Sequence, residues 1–161
     1  AKDNAFKMLF LDAGLVSSAL GLTLADLERT QELLLVNAGA ICEQIVGQHL
    51  LHSLPFYQEP DLFHWKRQKP GSSAEVDYVL AAGQDVVPIE VKAGKTGTLK
   101  SMHSFLRQKH RAFGVRLNSD LPSLMDARTV LPDGRNVPFR LLSLPLYMVG
   151  QTRRLIMESM E

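Results

Sequence analysis

The stretch from residue 75 to residue 92 limits what this chain can fold into more than any other. Glu75-Val76-Asp77-Tyr78-Val79-Leu80 and Val86-Val87-Pro88-Ile89-Glu90-Val91-Lys92 are rich in β-branched and aromatic residues, with Ala82-Gly83-Gln84-Asp85 between them. Two such runs around a short glycine-containing break read as a β-hairpin with a tight turn. Successive side chains of a strand point to opposite faces. Glu75 and Asp77 are therefore expected on one face of the first strand, and Val76 and Tyr78 on the other. In the second strand Glu90 and Lys92 share a face opposite Ile89 and Val91. The turn brings Asp77 opposite residues 90–92, so two carboxylates and an ammonium are expected at one part of a sheet.

The rest of the chain supplies a frame for that hairpin. Residues 6–11, apolar and aromatic with one lysine, read as a short strand, residues 13–20 as a short helix, and Leu24-Ala25-Asp26-Leu27 as the start of another. Residues 30–53 are the longest helical candidate, with Leu33, Leu34, Ile41, Ile45, Leu50 and Leu51 near helical spacing. Gly39, Glu43 and Gly47 sit four apart on one face of it. Glycine weakens a helix, so two on one face imply close approach of another group. Leu54-Pro55 ends this helix. Residues 61–67 read as a strand and Lys69-Pro70-Gly71-Ser72-Ser73 as a turn. After the hairpin, Thr98 is the expected N-cap of a helix over 99–109 with Leu99, Met102 and Leu106 inward. Residues 112–117 read as a fourth strand, 118–138 mostly as loop, 139–144 as a last strand, and the tail from Leu146 as helix. The expected class is α/β: a mixed sheet flanked by helices, in the order helix, three-strand meander, helix, strand. The helix between the third and fourth strands allows those two to run parallel.

Composition excludes several classes. At 161 residues and 45% apolar, the chain suits one compact domain with a substantial core. A net charge of +1 argues neither for nor against nucleic acid, so only local clusters bear on that question. The single cysteine, Cys42, excludes an internal disulfide and fits the cytoplasm. No apolar run approaches a membrane span and no signal peptide opens the chain. Ala1 in place of Met, with Phe6-Lys7-Met8-Leu9-Phe10-Leu11 close behind, reads as the interior of a longer protein, or as a processed or tag-derived terminus.

Like charges brought together need a cation, and partly buried carboxylates otherwise rise in pKa. Mg²⁺ takes oxygen ligands, keeps several waters and often uses only one or two protein carboxylates. Asp77 and Glu90 suffice for that, with Lys92 positioned to orient an attacking water and to offset charge developing on a phosphate. A surface hairpin with a Glu–Lys cross-strand pair is the plain alternative. The apolar neighbours of Glu90 and the position of Glu43 inside an apolar helix favour the site.

Glu43, Asp77 and Glu90-Val91-Lys92, in that order, resemble the PD-(D/E)XK nuclease superfamily, whose core is similar to the helix–meander–helix–strand order. The resemblance implies a restriction-endonuclease-like mixed sheet, Asp77 and Glu90 as ligands of Mg²⁺ (or Mn²⁺), Lys92 as the catalytic lysine and Glu43 as the helix carboxylate beside the metal. No proline precedes Asp77. A broader similarity is carried by Phe6 to Leu15, Ala38-Gly39-Ala40-Ile41-Cys42-Glu43, His64-Trp65, Glu75-Val76-Asp77-Tyr78, Ile89-Glu90-Val91-Lys92-Ala93-Gly94 and the segment from Leu142 to Tyr147. These resemble the uncharacterised domain found C-terminal to AAA-type ATPases in bacteria and archaea. That implies residues 1–29 linking to an upstream ATPase region, a core over 30–118, and a loop, strand and C-terminal helix over 119–161.

Gly94-Lys95-Thr96 lacks the upstream glycine of a phosphate-binding loop, because position 89 is Ile. Lys95 and the following helix remain candidates for nucleic-acid phosphate. Trp65, Lys66 and Arg67 form one basic–aromatic cluster and Arg107, Lys109, His110 and Arg111 another. Either would line a groove beside the site, with Trp65 stacking on a base, or be solvated surface. His49 and His52 lack zinc-like partners. The expected function is therefore Mg²⁺-dependent phosphodiester hydrolysis on nucleic acid, DNA before RNA. The alternative is a non-catalytic module that binds nucleic acid or protein beside an ATPase domain.

Overall fold

The computed structural model describes residues 6–23, 31–67, 73–130, 134 and 136–160, with backbone only over 31–37. The hairpin forms and becomes part of a larger sheet. The described strands are β1 (Phe63–Lys66), β2 (Glu75–Ala82), β3 (Asp85–Val91), β4 (Phe113–Asn118), β5 (Ser123–Val130) and β6 (Asn136–Pro145). They stand in the order β1-β2-β3-β4-β6-β5. β1, β2 and β3 are antiparallel, β3, β4 and β6 parallel, and β5 returns antiparallel to β6. The described helices are α1 (Ala13–Ala19), α2 (Gln31–His52), α3 (Lys100–Lys109) and α4 (Thr152–Met160), the last entered through a 3₁₀ turn at Leu146–Gln151. The parallel step from β3 to β4 needs a crossover, and α3 provides it.

Helices cover both faces of this mixed sheet. On one, Val46 and Leu50 of α2 and Ile156 of α4 meet Tyr78, Leu80, Ile89, Val91, Val115, Leu117, Leu142 and Leu144. On the other, Met102, Phe105 and Leu106 of α3 meet Val76, Val79, Phe139 and Leu141. β3 is interior, between β2 and β4, as its apolar run requires. A fully buried aliphatic side chain such as Leu50 contributes roughly 1.5–3 kcal/mol of transfer free energy, so α2 is held by packing more than by propensity.

Several expectations change. Residues 6–10 form no strand; they run as an irregular strap across α2. The Gln44 side chain accepts from Phe10 N (2.9 Å) and donates to Met8 O (2.9 Å), and Gln48 donates to Phe10 O (2.8 Å). One amide bridging the carbonyl of residue 8 and the N–H of residue 10 does what a neighbouring strand would do. Part of 118–138 is strand rather than loop. β5 is an edge strand with Thr129 alone fully buried, so it lacks the alternating apolar face that marks a strand in sequence. Thr98 is not the cap of α3: Leu99 holds that position and no side chain caps the helix. Of the two glycines on α2, Gly47 has the close neighbours (Tyr78 and Leu9), whereas Gly39 faces open space. Residues 24–27, and the turn at 69–73 save Ser73, lie outside the described residues.

Candidate functional site

Strict alternation fails in β2, and that failure builds the site. Tyr78 and Leu80 face α2 and Val79 faces α3, so alternation would send Val76 toward α2; it packs with the α3 cluster instead. The β1–β2 pairing shows the same slip, since Phe63 lies opposite Val79 but Trp65 lies opposite Val76. Two residues of β2, Asp77 and Tyr78, answer the single His64 of β1, which is a bulge at Asp77–Tyr78. The expectation that Val76 and Tyr78 share a face is corrected accordingly. The β2–β3 ladder ends at Tyr78 opposite Ile89. Beyond it, the Val91 N–H donates to Asp77 Oδ2 at 2.7 Å. The carboxylate replaces a backbone carbonyl and is thereby fixed beside Glu90.

Glu90 and Lys92 follow β3 as alternation requires. Lys92 Nζ donates to Glu90 Oε1 at 2.9 Å, and Lys92 N donates to Leu117 O at 2.8 Å. The Lys92 stem lies on the next loop at Gly97, where a Cβ would fall 2.6 Å from Lys92 Cδ. Only glycine leaves that room. The buried Asn118 donates to the Lys95 carbonyl at 3.0 Å and ties this loop to the end of β4. A lysine whose stem and head are both held has lost most of its rotamer freedom before any ligand arrives.

Glu43 arrives from α2. Tyr78 Oη donates to its main-chain carbonyl at 2.7 Å, joining β2 to that turn of the helix. The space at Gly47 admits the Tyr78 ring. Lys7, on the strap, then spans the gap: its Nζ lies 2.8 Å from Glu43 Oε2, 3.8 Å from Asp77 Oδ1 and 4.7 Å from the centre of the Tyr78 ring. The charged groups therefore form two sets, Glu43–Lys7–Asp77 and Glu90–Lys92, near enough for the Asp77 charge to act on Glu90.

Their electrostatics are unequal. Burial pushes Glu90 up to about 7, and the Asp77 charge adds to the shift, against the opposing hydrogen bond from Lys92. Asp77 is also raised, chiefly by burial, against the opposing bond from Val91 N–H. Glu90 is 5% exposed, and its Oε2 is buried without a hydrogen-bond partner. An orphaned carboxylate oxygen in a dry site is costly unless a proton or a cation meets it. Among the described residues, no three His, Cys, Asp or Glu side chains are grouped to hold a metal ion. Asp77 and Glu90 are two carboxylates of the hard oxygen kind that Mg²⁺ and Mn²⁺ take.

The model of one protein family, a domain of unknown function (DUF4143), matches residues 38–133, more than half of the chain. The chain belongs to that family. The span shared with the DUF4143 model contains Glu43, Asp77, Glu90 and Lys92, whereas Lys7 precedes it. No curated protein matches the chain.

Other candidates in this DUF4143 chain stand apart from the four central residues. Trp65 packs edge-on against Phe105 of α3, with ring centres 5.5 Å apart. Arg67 Nη1 lies 3.5 Å from Ser104 Oγ, also on α3. Lys66 is half-exposed, 3.8 Å from Glu75, and Lys95 is exposed on the loop after Lys92. The cluster of residues 107–111 does not flank the acidic groups. Arg111 pairs with Asp85 at 2.8 Å, at the opposite end of β3 from Glu90. His49 and His52 lie against the carbonyls of Ile45 and Gln48 on their own helix. Among the described residues no helix is long and apolar enough to cross a membrane.

Sequence reasoning missed three contributors. Lys7 was visible as a lone lysine in an apolar run, but nothing local says where it points. Gly97 read as an ordinary loop glycine. Arg116 pairs in register with Glu90 on the adjacent strand, so both point to the α3 face. Its Nη2 donates to Ser143 Oγ at 2.9 Å and its Nε is buried without a partner.

Proposed function

We propose that this chain is a nuclease-like domain of the PD-(D/E)XK type, with the restriction-endonuclease-like sheet that this implies. It hydrolyses phosphodiester bonds in nucleic acid, DNA in preference to RNA. The observation that carries the reading is the buried, unpartnered Glu90 oxygen beside Asp77, with the Lys92 ammonium on the same carboxylate. Asp77 and Glu90 would hold one Mg²⁺ or Mn²⁺, which when bound supplies Lewis-acid polarisation of a phosphate oxygen. Lys92 orients the attacking water and faces the charge that grows on the phosphate. In the reaction one bond forms from the water oxygen to phosphorus and one P–O ester bond breaks, the leaving oxygen taking up a proton. Glu43 supports the arrangement from the helix side through Lys7. Lys66, Arg67 and Lys95 are the phosphate contacts of this reading, and Trp65 its stacking group. The order of helix, antiparallel meander, helix and parallel strand also supports it. In a longer protein the domain follows an AAA-type ATPase region.

The test is direct. Purified protein with Mg²⁺ or Mn²⁺ is expected to cut at least one of single-stranded, duplex or branched DNA, and Asp77→Asn to leave all three intact. A second reading has one observation in its favour: Lys7 already neutralises Glu43 and partly Asp77 without a metal. It takes the domain as a non-catalytic module that binds nucleic acid or its own ATPase region. Salt-sensitive DNA binding with no cutting in either metal would select it.

A further inference from the structure

Lys7 reaches the site from far away in sequence. Its strap has no strand to join, yet both Gln44 and Gln48 spend their amides on Met8 and Phe10, which fixes the strap along α2. That grip sets the height at which Lys7 enters. Its side chain is 18% exposed, with Nζ against Glu43 Oε2, Asp77 Oδ1, the Asp77 carbonyl (3.5 Å) and the face of Tyr78. Two carboxylates, a carbonyl and an aromatic face around one ammonium make a cation-binding pocket with the cation built in.

We infer that Lys7 is the fixed cation of this site and stands where a second divalent ion would otherwise sit between Glu43 and Asp77. The domain therefore takes one divalent ion, at Asp77 and Glu90, with Lys7 as a positioning residue that keeps Glu43 out of its ligand set. This rests on the metal reading proposed above, but its signature is separate. A mobile ion must be recruited from solution at each assembly, whereas a tethered ammonium is present at high effective concentration. The tether also makes residues 6–10 part of the site.

Mn²⁺ binding by calorimetry, with folding checked by circular dichroism, tests it without reference to cleavage. The parent count of bound ions tests the metal reading; the change in that count tests Lys7. Lys7→Met is expected to bind one more Mn²⁺ per chain than the parent, and Lys7→Met with Glu43→Gln to lose that extra ion. Lys7→Arg keeps the parent count. Glu43→Gln alone, which leaves Lys7 in place, is expected to bind Mn²⁺ with an affinity within about threefold of the parent. A Lys7→Met variant that folds and gains no ion overturns the inference. So does a Glu43→Gln variant that loses the parent's ion, because Glu43 would then be a ligand and not the partner of Lys7; this arm holds even if Lys7→Met does not fold.

Discussion

Lys92→Met is expected to lower the proposed metal-dependent cleavage about 10²–10³-fold, the range for removing one positioned electrostatic group, while the domain stays folded. Methionine keeps the apolar stem that lies over Gly97 and removes only the ammonium. The structure tolerates that loss because Glu90 has an alternative. Already raised to about 7 with Lys92 present, it takes up a proton more readily once its cation is gone. The variant therefore loses rate and keeps its cooperative unfolding transition. Single-turnover cleavage of a labelled duplex, with thermal melting of the same sample, separates the two effects. A rate within threefold of the parent would remove Lys92 from the chemistry.

Glu90→Gln has its largest effect on stability, and the effect depends on pH. In the folded chain Glu90 titrates near 7, against an ordinary value of 4.5. The folded form thus holds the proton more tightly than the unfolded form. The contribution of this group is complete below the ordinary value and is lost as the pH rises from about 4.5 to about 7. Glutamine does not titrate, so the variant escapes that loss. Between pH 5 and pH 8 the stability of Glu90→Gln relative to the parent is expected to rise by about 2–3 kcal/mol. For a domain of this size that is roughly a 5–10 °C relative gain in melting temperature. Melting in EDTA at the two pH values measures it. A relative stability that is flat with pH would mean that Glu90 is not desolvated as described.

The two strands that carry Asp77 and Glu90 were legible because their signal is local. Val76 to Leu80 and Val86 to Val91 alternate or run apolar over a short turn, and that fixes both the hairpin and the shared face of Glu90 and Lys92. The bulge at Asp77–Tyr78 was not legible. It changes which face Val76 takes, and it shows only in the pairing with β1, one residue of which answers two of β2. β5 was missed for a related reason: an edge strand with one fully buried residue has no face to reveal. Lys7 shows the same limit in the site itself. Its partners Glu43 and Asp77 lie 36 and 70 residues away, and the strap that delivers it is held by side-chain amides that no periodicity encodes. Glycine gave mixed guidance, since Gly47 marks the close approach of Tyr78 while Gly39 on the same stripe faces open space.

Mn²⁺ titration of the parent at pH 8, beside the Asp77→Asn, Glu90→Gln double variant, bears most directly on the claim that these two carboxylates form a cation site. One ion per chain in the parent and none at that site in the double variant is the predicted result. A parent that takes up no ion at millimolar Mn²⁺, or a double variant that binds as tightly as the parent, would contradict it.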